Sequence, residues 1–478
     1  MKDNKGAKNS KVYIETLGCP KNFNDSEVAA GILEENGYTM VDSPEAADYI
    51  IVNTCGFIND AKKESISKIF DMAEYKLSNK DSGKKLVVSG CLSQRYAHDI
   101  AGEMPEVDAF LGVNEYERLP EILAQLAGSQ DLQKAGLSSE NSPCGEVGFA
   151  ADREGLQGKI FTAGCDLDVL EKQTRKFVEN PYSATIKIAE GCNNICAYCI
   201  IPKIRGKYRS KKQEDILAEA RELAAAGCKE LILIAQDVTY YGRDLYGQLM
   251  LPKLLKELCK VDGIQWIRLM YCYEDRITDE LIDVIASEEK ICNYLDIPIQ
   301  HASDRVLKSM NRRSTAESID NTLSRLKKSI PDIRVRTTLI VGFPGESEED
   351  FDQLCDFVEH ERFARLGVFA YSQEENTVAG EMDCQIDEKI KQERLDAIMR
   401  RQLDISLEMN RGMVGETLEV IVDELDDEPG SYIGRSRYDA PEIDNSVIFT
   451  SARYLKPGDI VKVYINDAFD YDLVGTEA

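Results

Sequence analysis

Three cysteines, Cys19, Cys55 and Cys91, are separated by equal intervals of 36 residues, and each follows a short apolar segment. Such segments predict strands, and the helical patterns between them predict repeated βαβ units in a parallel sheet. The predicted strands span 12–17, 49–52 and 86–88. Right-handed crossovers place the C-terminal ends of these strands on one edge of the sheet, where open α/β sheets bind ligands. The three thiols are therefore expected to converge on one metal site.

The first helix of this segment is predicted to begin at Asn24, because Glu27 lies three residues further on, as in a capping box. Apolar residues then recur with helical spacing, and Gly37 supplies a C-terminal stop. This helix would form the first crossover of the sheet.

The length of 478 residues predicts more than one domain. After the cysteine-bearing segment, six apolar strands alternate with helical patterns, which predicts a partial TIM-type (βα)6 barrel. Short alternating strands at the end of the chain predict a small antiparallel β-barrel. The fold class is therefore α/β, with a parallel α/β domain at 11–127, a linker at 128–177, the barrel core at 178–411 and the small barrel at 412–478.

The composition is that of a globular protein with reduced thiols. No apolar run is long enough to span a membrane, and the first residues are polar, so we expect a cytoplasmic protein without membrane contact. The 14 cysteines then favour metal binding or catalysis over disulfides. Three of them lie in polar segments and receive no role: Cys144, Cys165 and Cys384.

The formal net charge of −27 disfavours nucleic acid as a partner, because a phosphate-binding surface needs concentrated Lys and Arg. The end of the chain contributes strongly, with 15 acidic and 5 basic side chains between Met413 and Ala478. A surface of this sign repels tRNA and attracts Lys- and Arg-rich proteins. The charge therefore favours a basic protein partner, although acidic surfaces also serve solubility alone.

The strongest local signal is the motif Cys192-x3-Cys196-x2-Cys199, directly after the first strand of the predicted (βα)6 barrel. Three closely spaced thiolates can bind three irons of a cubane cluster and leave the fourth iron without a protein ligand. The alternative is structural zinc, which requires four ligands. No fourth Cys or His lies within about twenty residues, so the pattern favours an iron–sulfur cluster with an open coordination position.

A basic stretch follows this motif and contrasts with the overall charge. It comprises Lys203, Arg205, Lys207, Arg209, Lys211 and Lys212. Further on, Arg305, Lys308 and Arg312 share one face if their segment is helical. Both groups can be solvated helix faces. The sharper hypothesis is that some of these charges offset anionic thiolates or bind an acidic substrate segment.

The spacing of the motif on a βα barrel resembles the radical S-adenosylmethionine superfamily. The resemblance implies that S-adenosylmethionine fills the open iron position and is cleaved to a 5′-deoxyadenosyl radical. It also implies that the ligand is contacted by the tyrosine beside the third cysteine and by residues that end barrel strands. These residues are Tyr198, Gln236, Asp237, Gln300, Ser303 and Gly342.

The order of the segments resembles the methylthiotransferase family of these enzymes over nearly the full chain. In that family a three-cysteine α/β domain precedes the radical domain, and a TRAM domain follows it. The resemblance implies two 4Fe–4S clusters, one bound by Cys19, Cys55 and Cys91 and the other by the cysteines at 192–199. Taken alone, the three N-terminal cysteines could also be buried thiols at strand ends.

The segment Leu-Gly-Cys-Pro-Lys-Asn at 17–22 resembles the RimO-like branch of the family, whereas the tRNA-modifying branch has Gln-Met in place of Pro-Lys. Further segments that fit this branch are 190–193, 201–206, 268–273, 297–304, 434–436 and 439–442. The resemblance implies addition of a methylthio group to the β-carbon of an aspartate in a small-subunit ribosomal protein. It also implies a low-potential electron donor of the flavodoxin or ferredoxin type and a sulfur donor.

Two other functions remain open at this point. A tRNA adenosine methylthiotransferase would bind tRNA tightly and with steep salt dependence. A non-catalytic iron–sulfur electron carrier would not cleave S-adenosylmethionine, and it would leave the cysteine pattern at 192–199 unexplained.

Overall fold

The computed structural model describes residues 10–78, 83–128, 159–162, 174–176 and 181–478. Most of the predicted linker, including Cys144 and Cys165, lies outside these residues. Among the helices that are described, none combines the length and the apolar character needed to cross a membrane.

The described residues form two compact units. The first unit contains the described residues between 10 and 176 together with the short segment Ile200–Lys207. The second contains residues from 181 to Cys199 and from Tyr208 to Ala478. The segment Ile200–Lys207 therefore folds with the N-terminal part of the chain, although the sequence places it within the predicted barrel core.

Among the described residues, six parallel strands form the sheet of the first unit, and they include the three predicted ones. The strands are β1 Lys11–Thr16, β2 Thr39–Met40, β3 Tyr49–Thr54, β4 Lys85–Gly90, β5 Ala109–Leu111 and β6 Ile160–Phe161. They pair in the order β2-β1-β3-β4-β5-β6. Because β6 lies within the predicted linker, part of that stretch belongs to the sheet.

Helices cover both faces of this sheet. The helices of the first unit are α1 Pro20–Glu35, α2 Asn59–Leu77, α3 Cys91–Ile100, α4 Leu119–Ala127 and α5 Ile201–Arg205, with a 3-10 turn at Tyr116–Arg118. Ile50 and Val52 of β3 pack with residues of α2 and α3 on one face, whereas Ile51 packs with residues of α1 and α4 on the other. Both faces are buried, as a parallel sheet requires.

Helix α1 begins at Pro20 and not at the predicted Asn24, with Cys19 as its N-cap residue. Proline is favoured at the first helical position, because its missing N–H would have no partner there and its φ is already helical. The predicted capping box at Asn24 and Glu27 therefore lies inside the helix.

A second six-stranded parallel sheet forms the core of the second unit. Its strands are β7 Ser183–Lys187, β10 Glu230–Ile234, β11 Trp266–Leu269, β12 Ile291–Asp296, β13 Arg334–Val341 and β14 Arg365–Ala370. They pair in sequence order, which confirms the predicted partial (βα)6 barrel. Two short strands, β8 Ala189–Glu190 and β9 Arg209–Ser210, form a separate ribbon.

Helices alternate with the strands of this core. They are α6 Gln213–Ala225, α7 Arg243–Tyr246, α8 Leu251–Leu258, α9 Asp279–Ser287, α10 Asp304–Ser309, α11 Ala316–Ser329, α12 Glu348–Glu361 and α13 Glu388–Arg411. Single 3-10 turns follow three of the strands, at Val238–Tyr240, Glu274–Arg276 and Ala379–Glu381. This alternation of strand and helix is the pattern that the sequence predicted.

The end of the chain forms a closed five-stranded barrel. Its strands are β15 Thr417–Leu425, β16 Ser431–Ser436, β17 Val447–Thr450, β18 Ile460–Ala468 and β19 Leu473–Glu477. The predicted antiparallel barrel is confirmed in four pairings, whereas β17 and β19 pair in parallel. An odd number of strands cannot alternate in direction around a closed ring, so one parallel pairing is unavoidable.

Buried ion pairs connect this small barrel to the core strands within the second unit. Glu230, at the start of β10, lies 2.9 Å from Arg268 and 2.7 Å from Arg435. Arg365, at the start of β14, lies 2.6 Å from Asp439. Burial raises the pKa of Glu230, but Arg435 and Arg268 outweigh burial and lower this pKa to about 2. Glu230 is therefore an anion whose partners come from both the core and the small barrel.

Candidate metal centres

The three N-terminal cysteines lie at the C-terminal ends of parallel strands, as the sequence predicted. Cys19 caps α1, Cys55 directly follows β3, and Cys91 is the first residue of α3 after β4. Burial raises the pKa of the Cys55 thiol, and the nearby Cys91 and Cys19 thiols raise this pKa further, as expected for three thiols at one edge of the sheet. We refer to Cys19, Cys55 and Cys91 as the N-terminal trio.

Two glycines allow the loops of the N-terminal trio to approach one another. Gly18 and Gly90 have φ of +94° and +93°, in the left-handed region that other residues rarely adopt. A Cβ atom at Gly18 would lie 2.8 Å from Cβ of Cys55, and one at Gly90 would lie 2.4 Å from the carbonyl oxygen of Thr54. A side chain at either position would therefore push the cysteine loops apart.

Asn22 joins the loops that carry Cys19 and Cys55. Its buried side chain donates hydrogen bonds from Nδ2 to the carbonyl oxygens of Leu17, at 2.9 Å, and Thr54, at 3.1 Å. These carbonyl groups lie just before the two cysteines. The asparagine that ends the 17–22 segment therefore fixes the backbone on which two of the thiols depend.

Burial raises the pKa of two thiols of the N-terminal trio, Cys55 and Cys91. It raises the pKa of Cys55 to about 12, and it raises the pKa of Cys91 against the opposing effect of Arg205. Metals bind thiolates, so metal binding at this site releases protons.

The second set of thiols, Cys192, Cys196 and Cys199, lies on one loop between β8 and α5. We refer to these three cysteines as the motif trio. Three hydrogen bonds fix the loop: Ala197 N–H to the Met310 carbonyl (2.8 Å), Asn311 Nδ2 to the Ile195 carbonyl (2.7 Å) and Ala379 N–H to the Ala197 carbonyl (2.9 Å). The loop is thus held by the segments after α10 and β14.

Polar groups surround the sulfurs of the motif trio. The backbone N–H of Asn194 donates to Cys192 Sγ at 3.4 Å, and the hydroxyl of Tyr273 lies 2.8 Å from Cys196 Sγ. Arg312 lies over the Tyr273 ring, 4.3 Å from its centroid. Hydrogen bonds to sulfur and nearby charge are what tune an iron–sulfur cluster.

Asp237, a predicted cofactor contact, is fully engaged in protein contacts. Its carboxylate accepts hydrogen bonds from Arg276 (2.5 Å) and from Asn194 Nδ2 (3.0 Å). Asn194 lies between the first two cysteines of the motif trio, so Asp237 anchors the cysteine loop. Its neighbour Gln236 donates to Glu190 at 2.9 Å, and its Oε1 is buried without a hydrogen-bond partner among the described residues. That oxygen can accept a bond from a ligand.

The other predicted cofactor contacts lie near the ends of core strands or beside the cysteine loop. Ser303 donates from its hydroxyl to Asp350 at 2.5 Å, and the N–H of Gly342 donates to Glu346 at 2.8 Å. Gln300 has φ of +71° and pairs with Leu339 in an isolated bridge. The polar atoms of Ser303 and Gly342 thus have protein partners.

Tyr198 packs with apolar residues that include Ala197, Val306 and Phe343. The third cysteine of the motif trio is thus preceded by an aromatic residue that packs in an apolar cluster. Burial raises the pKa of its hydroxyl well above the usual value.

The two groups of basic residues noted in the sequence differ in their surroundings. The side chain of Arg312 is 1% exposed and lies 2.7 Å from Glu274, so it is not a solvated surface cation. It also lies beyond the end of α10, which contains Arg305 and Lys308, so the predicted shared helix face does not include it. Arg205 is likewise buried, beside the N-terminal trio.

The spacing of the thiols distinguishes a cluster from a single metal ion. Two thiolates on one zinc lie about 3.8 Å apart, given Zn–S bonds of about 2.3 Å in a tetrahedron. Among the described residues, only the group Asp320, His360 and Glu361 brings three metal-binding atoms within 4.8 Å of one another. Among the described residues neither cysteine trio is that compact, and a cluster in which each thiolate binds its own iron does not require such close sulfurs.

Sequence reasoning missed Asn22 and Tyr273 as parts of these sites, and it named Arg205 only within a basic stretch, some of whose charges could offset thiolates. All three lie within the segments 17–22, 268–273 and 201–206 that carried the family resemblance. The signal was therefore present as a motif. Its chemical meaning depended on contacts between residues far apart in the chain.

Three family models match the chain: Uncharacterized protein family UPF0004 at 11–112, the Radical SAM superfamily at 186–358 and the TRAM domain at 414–477. Ribosomal protein uS12 methylthiotransferase RimO of Clostridioides difficile is 47% identical over 466 residues, which cover 97% of this chain and 98% of that protein. The protein of the same name from Geobacter sulfurreducens is 46% identical over 466 residues, with the same coverage of both chains.

Solved structures share the fold at low identity. The radical S-adenosylmethionine methyltransferase TsrM from Kitasatospora setae, with tryptophan and an S-adenosylmethionine analog bound, has a TM-score of 0.56 and 12% identity. The match covers 87% of this chain and 79% of that one. At this identity the likeness describes the fold alone.

The partial barrel, the two cysteine trios and the matched domains define a radical S-adenosylmethionine enzyme of the methylthiotransferase class. Such a class uses two 4Fe–4S clusters together with S-adenosylmethionine, as predicted. With relatives 45–47% identical over nearly its whole length, the chain belongs to the RimO family of ribosomal protein uS12 methylthiotransferases. The predicted family and enzyme class are thereby confirmed.

Proposed function

We propose that this enzyme adds a methylthio group to the β-carbon of an aspartate in ribosomal protein uS12. The observation that carries the proposal is the presence of two separate cysteine trios, each with only three thiols, in a chain 47% identical to a relative of that name. Three protein ligands for a four-iron cluster leave one iron free in each site. One free iron suits S-adenosylmethionine, and the other suits the sulfur that is transferred.

The ligands of the two clusters follow from this proposal. The N-terminal trio, in a methylthiotransferase domain at 11–127, holds one cluster, and the motif trio, in a radical core at 178–411, holds the other. Bound S-adenosylmethionine and the clusters would supply hydrogen abstraction from an unactivated carbon and the methylthio group. Around them, Asp237 and Arg276 hold the motif loop, and Tyr273 contacts a sulfur of the motif trio.

Contacts to S-adenosylmethionine are proposed for the six predicted residues, in two roles. Gln236 and Tyr198 suit direct contact, because Gln236 has a buried oxygen to offer and Tyr198 forms part of an apolar wall. Asp237, Ser303 and Gly342 suit a supporting role, because their polar groups already have protein partners. Gln300 lies at the C-terminal edge of the core sheet, where its strained backbone directs the loop after β12.

The small barrel at 412–478 is the proposed docking surface for uS12. Its acidic excess favours a Lys- and Arg-rich protein and disfavours tRNA. The reaction also requires a low-potential electron donor of the flavodoxin or ferredoxin type and a sulfur donor. We place the enzyme in the cytoplasm, where ribosomal proteins and reduced thiols occur.

The direct test is anaerobic reconstitution of the chain with iron and sulfide, followed by incubation with S-adenosylmethionine, a chemical reductant, sulfide and purified uS12. Mass spectrometry of the digested uS12 is expected to show the gain of S-CH3 in place of H on one aspartate. Chromatography is expected to show 5′-deoxyadenosine. The Cys196→Ala variant should produce neither, because it lacks a ligand of the motif trio.

A parallel incubation replaces uS12 with unmodified tRNA. Methylthiolated adenosine in that sample, with uS12 unchanged, would assign the enzyme to the tRNA reaction. Absence of 5′-deoxyadenosine under all conditions, in protein that holds both clusters, would support electron transfer as the function instead.

A further inference from the structure

The short segment Ile200–Lys207 packs against the N-terminal trio within the first unit. Ile200 and Ile204 share an apolar cluster with Cys91 and Val113. The segment follows the motif trio directly in the sequence, yet its buried side chains contact the other set of thiols. Its last helical residue, Arg205, lies beside one of these thiols.

Arg205 places a buried guanidinium beside one of the thiols. Its Nη2 donates to Asn22 Oδ1 at 2.8 Å and lies 3.5 Å from Cys91 Sγ. Both Nη atoms lie 3.1 Å from Asp25. The side chain is only 2% exposed, so its charge acts on its neighbours with little screening by water.

Arg205 also reaches the other two cysteine loops through Asn22. The oxygen of the Asn22 amide accepts from Arg205, while its nitrogen donates to the carbonyl groups that precede the loops of Cys19 and Cys55. One cation thereby orients the side chain that fixes two of the loops, and it contacts the third thiol itself.

We propose that Arg205 is a positioning residue that orients the thiols of the N-terminal trio and raises the reduction potential of the cluster they bind. The inference rests on the proposed cluster ligands. A cluster gains negative charge when it is reduced, so a fixed cation beside its sulfur stabilises the reduced state. Removal of the cation should shift the potential in the negative direction.

The competing explanation is that Arg205 only neutralises Asp25 as part of the protein core. The geometry argues against this, because Nη2 of Arg205 lies 3.5 Å from Cys91 Sγ while both of its Nη atoms also contact Asp25. The guanidinium therefore contacts the sulfur itself and not only the carboxylate. Under the competing explanation, replacing Arg205 would change the reduction potential of the N-terminal cluster only if it disturbed the fold.

The test uses the full-length chain with Cys192, Cys196 and Cys199 replaced by Ala, so that only the N-terminal cluster remains. Four variants are compared in this parent: Arg205→Gln, Arg205→Lys, Arg205→Gln combined with Asp25→Asn, and Arg175→Gln. Arg175 is the matched control, because it pairs with Glu27 on the same helix as Asp25, at 2.8 Å. Iron content and a redox titration followed by electron paramagnetic resonance are measured for each.

Arg205→Gln is expected to shift the potential to a more negative value, and Arg205→Lys to restore most of the parent value. The double variant should show a smaller negative shift, and Arg175→Gln should show none. If Arg205→Gln fails to fold because Asp25 loses this buried cation, the double variant provides the measurement, since it contains neither charge.

Two results would overturn the inference, and they have different meanings. A parent that binds no cluster at all would remove the proposed ligands of the N-terminal trio and this inference with them. A parent with about four irons per chain, whose potential matches that of the double variant, would leave the ligands in place and assign Arg205 to core packing alone.

Discussion

The two cysteine trios each bring three thiols together, but they depend on different amounts of surrounding structure. The motif trio lies within eight residues of one loop, and three hydrogen bonds from nearby segments fix that loop. The N-terminal trio draws its thiols from three loops of a parallel sheet and needs two left-handed glycines, Asn22 and Arg205 to bring them together. The N-terminal site therefore depends on the whole fold of its unit, whereas the motif site depends on one loop.

Loss of one thiol from each trio gives the largest expected effects. Cys196→Ala and Cys55→Ala should each reduce the iron content from about eight to about four per chain. Cys196→Ala should abolish both 5′-deoxyadenosine and methylthiolation, whereas Cys55→Ala should retain 5′-deoxyadenosine and lose methylthiolation. Iron assay, chromatography and mass spectrometry measure the three quantities. Equal loss of 5′-deoxyadenosine in both variants would contradict the proposal that only the motif trio is needed to cleave S-adenosylmethionine.

A backbone change tests the dependence of the N-terminal trio on its fold. Gly90→Ala places a Cβ atom 2.4 Å from a carbonyl oxygen at positive φ, so this variant should lose the N-terminal cluster and keep about four irons. Gly83→Ala is the control, because Gly83 also has positive φ but no described residue lies within 4 Å of the added atom. A full complement of iron in Gly90→Ala would show that the loops tolerate displacement.

Stability of the unit that carries the motif trio should depend on Glu230. Glu230→Gln removes the buried anion that pairs with both Arg268 and Arg435, and it leaves Arg435 with Asp423 alone, which costs about 3–5 kcal/mol in the free energy of unfolding. Glu359→Gln, at an exposed pair 2.9 Å from Arg401, should cost less than about 1 kcal/mol. Denaturant unfolding of the metal-free protein measures both, and equal values would contradict a structural role for the buried pairs.

The same carboxylate gives a pH dependence. Because the folded-state pKa of Glu230, about 2, lies below its usual 4.5, its contribution is fully present above pH 4.5 and is lost as the pH falls toward 2. The unfolding temperature of the metal-free wild-type protein should therefore fall more steeply over this range than that of Glu230→Gln. Parallel curves would assign the acid sensitivity to other groups.

The smallest expected effect concerns the hydrogen bond between the Tyr273 hydroxyl and a sulfur of the motif trio. Tyr273→Phe removes the hydroxyl 2.8 Å from Cys196 Sγ and should slow S-adenosylmethionine cleavage by about fivefold, as expected for the loss of one hydrogen bond of about 1 kcal/mol. Tyr454→Phe, at an exposed position, is the control. Initial rates of 5′-deoxyadenosine formation provide the measurement, and unchanged rates in both variants would remove Tyr273 from the site.

Periodicity and spacing predicted much of this molecule. The strands before Cys19, Cys55 and Cys91, the six core strands and the small barrel all follow from local apolar patterns, which depend on neighbouring residues. The predicted start of α1 was wrong by one turn, because Pro20 is favoured at the first helical position and this outweighed the capping-box pattern at Asn24.

Contacts across long stretches of sequence escaped prediction. Arg205 and Asn22 are 183 residues apart, and nothing in the local pattern of either residue indicates the other. The basic stretch at 203–212 was predicted as one feature, yet Arg205 is buried against the N-terminal trio while other members lie elsewhere. Side-chain partners in these sites are set by the folded backbone, which periodicity does not specify.

The path of the chain also limits how this enzyme can be divided. The backbone leaves the first unit before residue 181, returns to it at Ile200 and leaves it again after Lys207. Cutting the gene at the end of the N-terminal domain would therefore deprive that piece of α5 and of Arg205, so the N-terminal piece is not a self-sufficient module for domain shuffling or gene fusion.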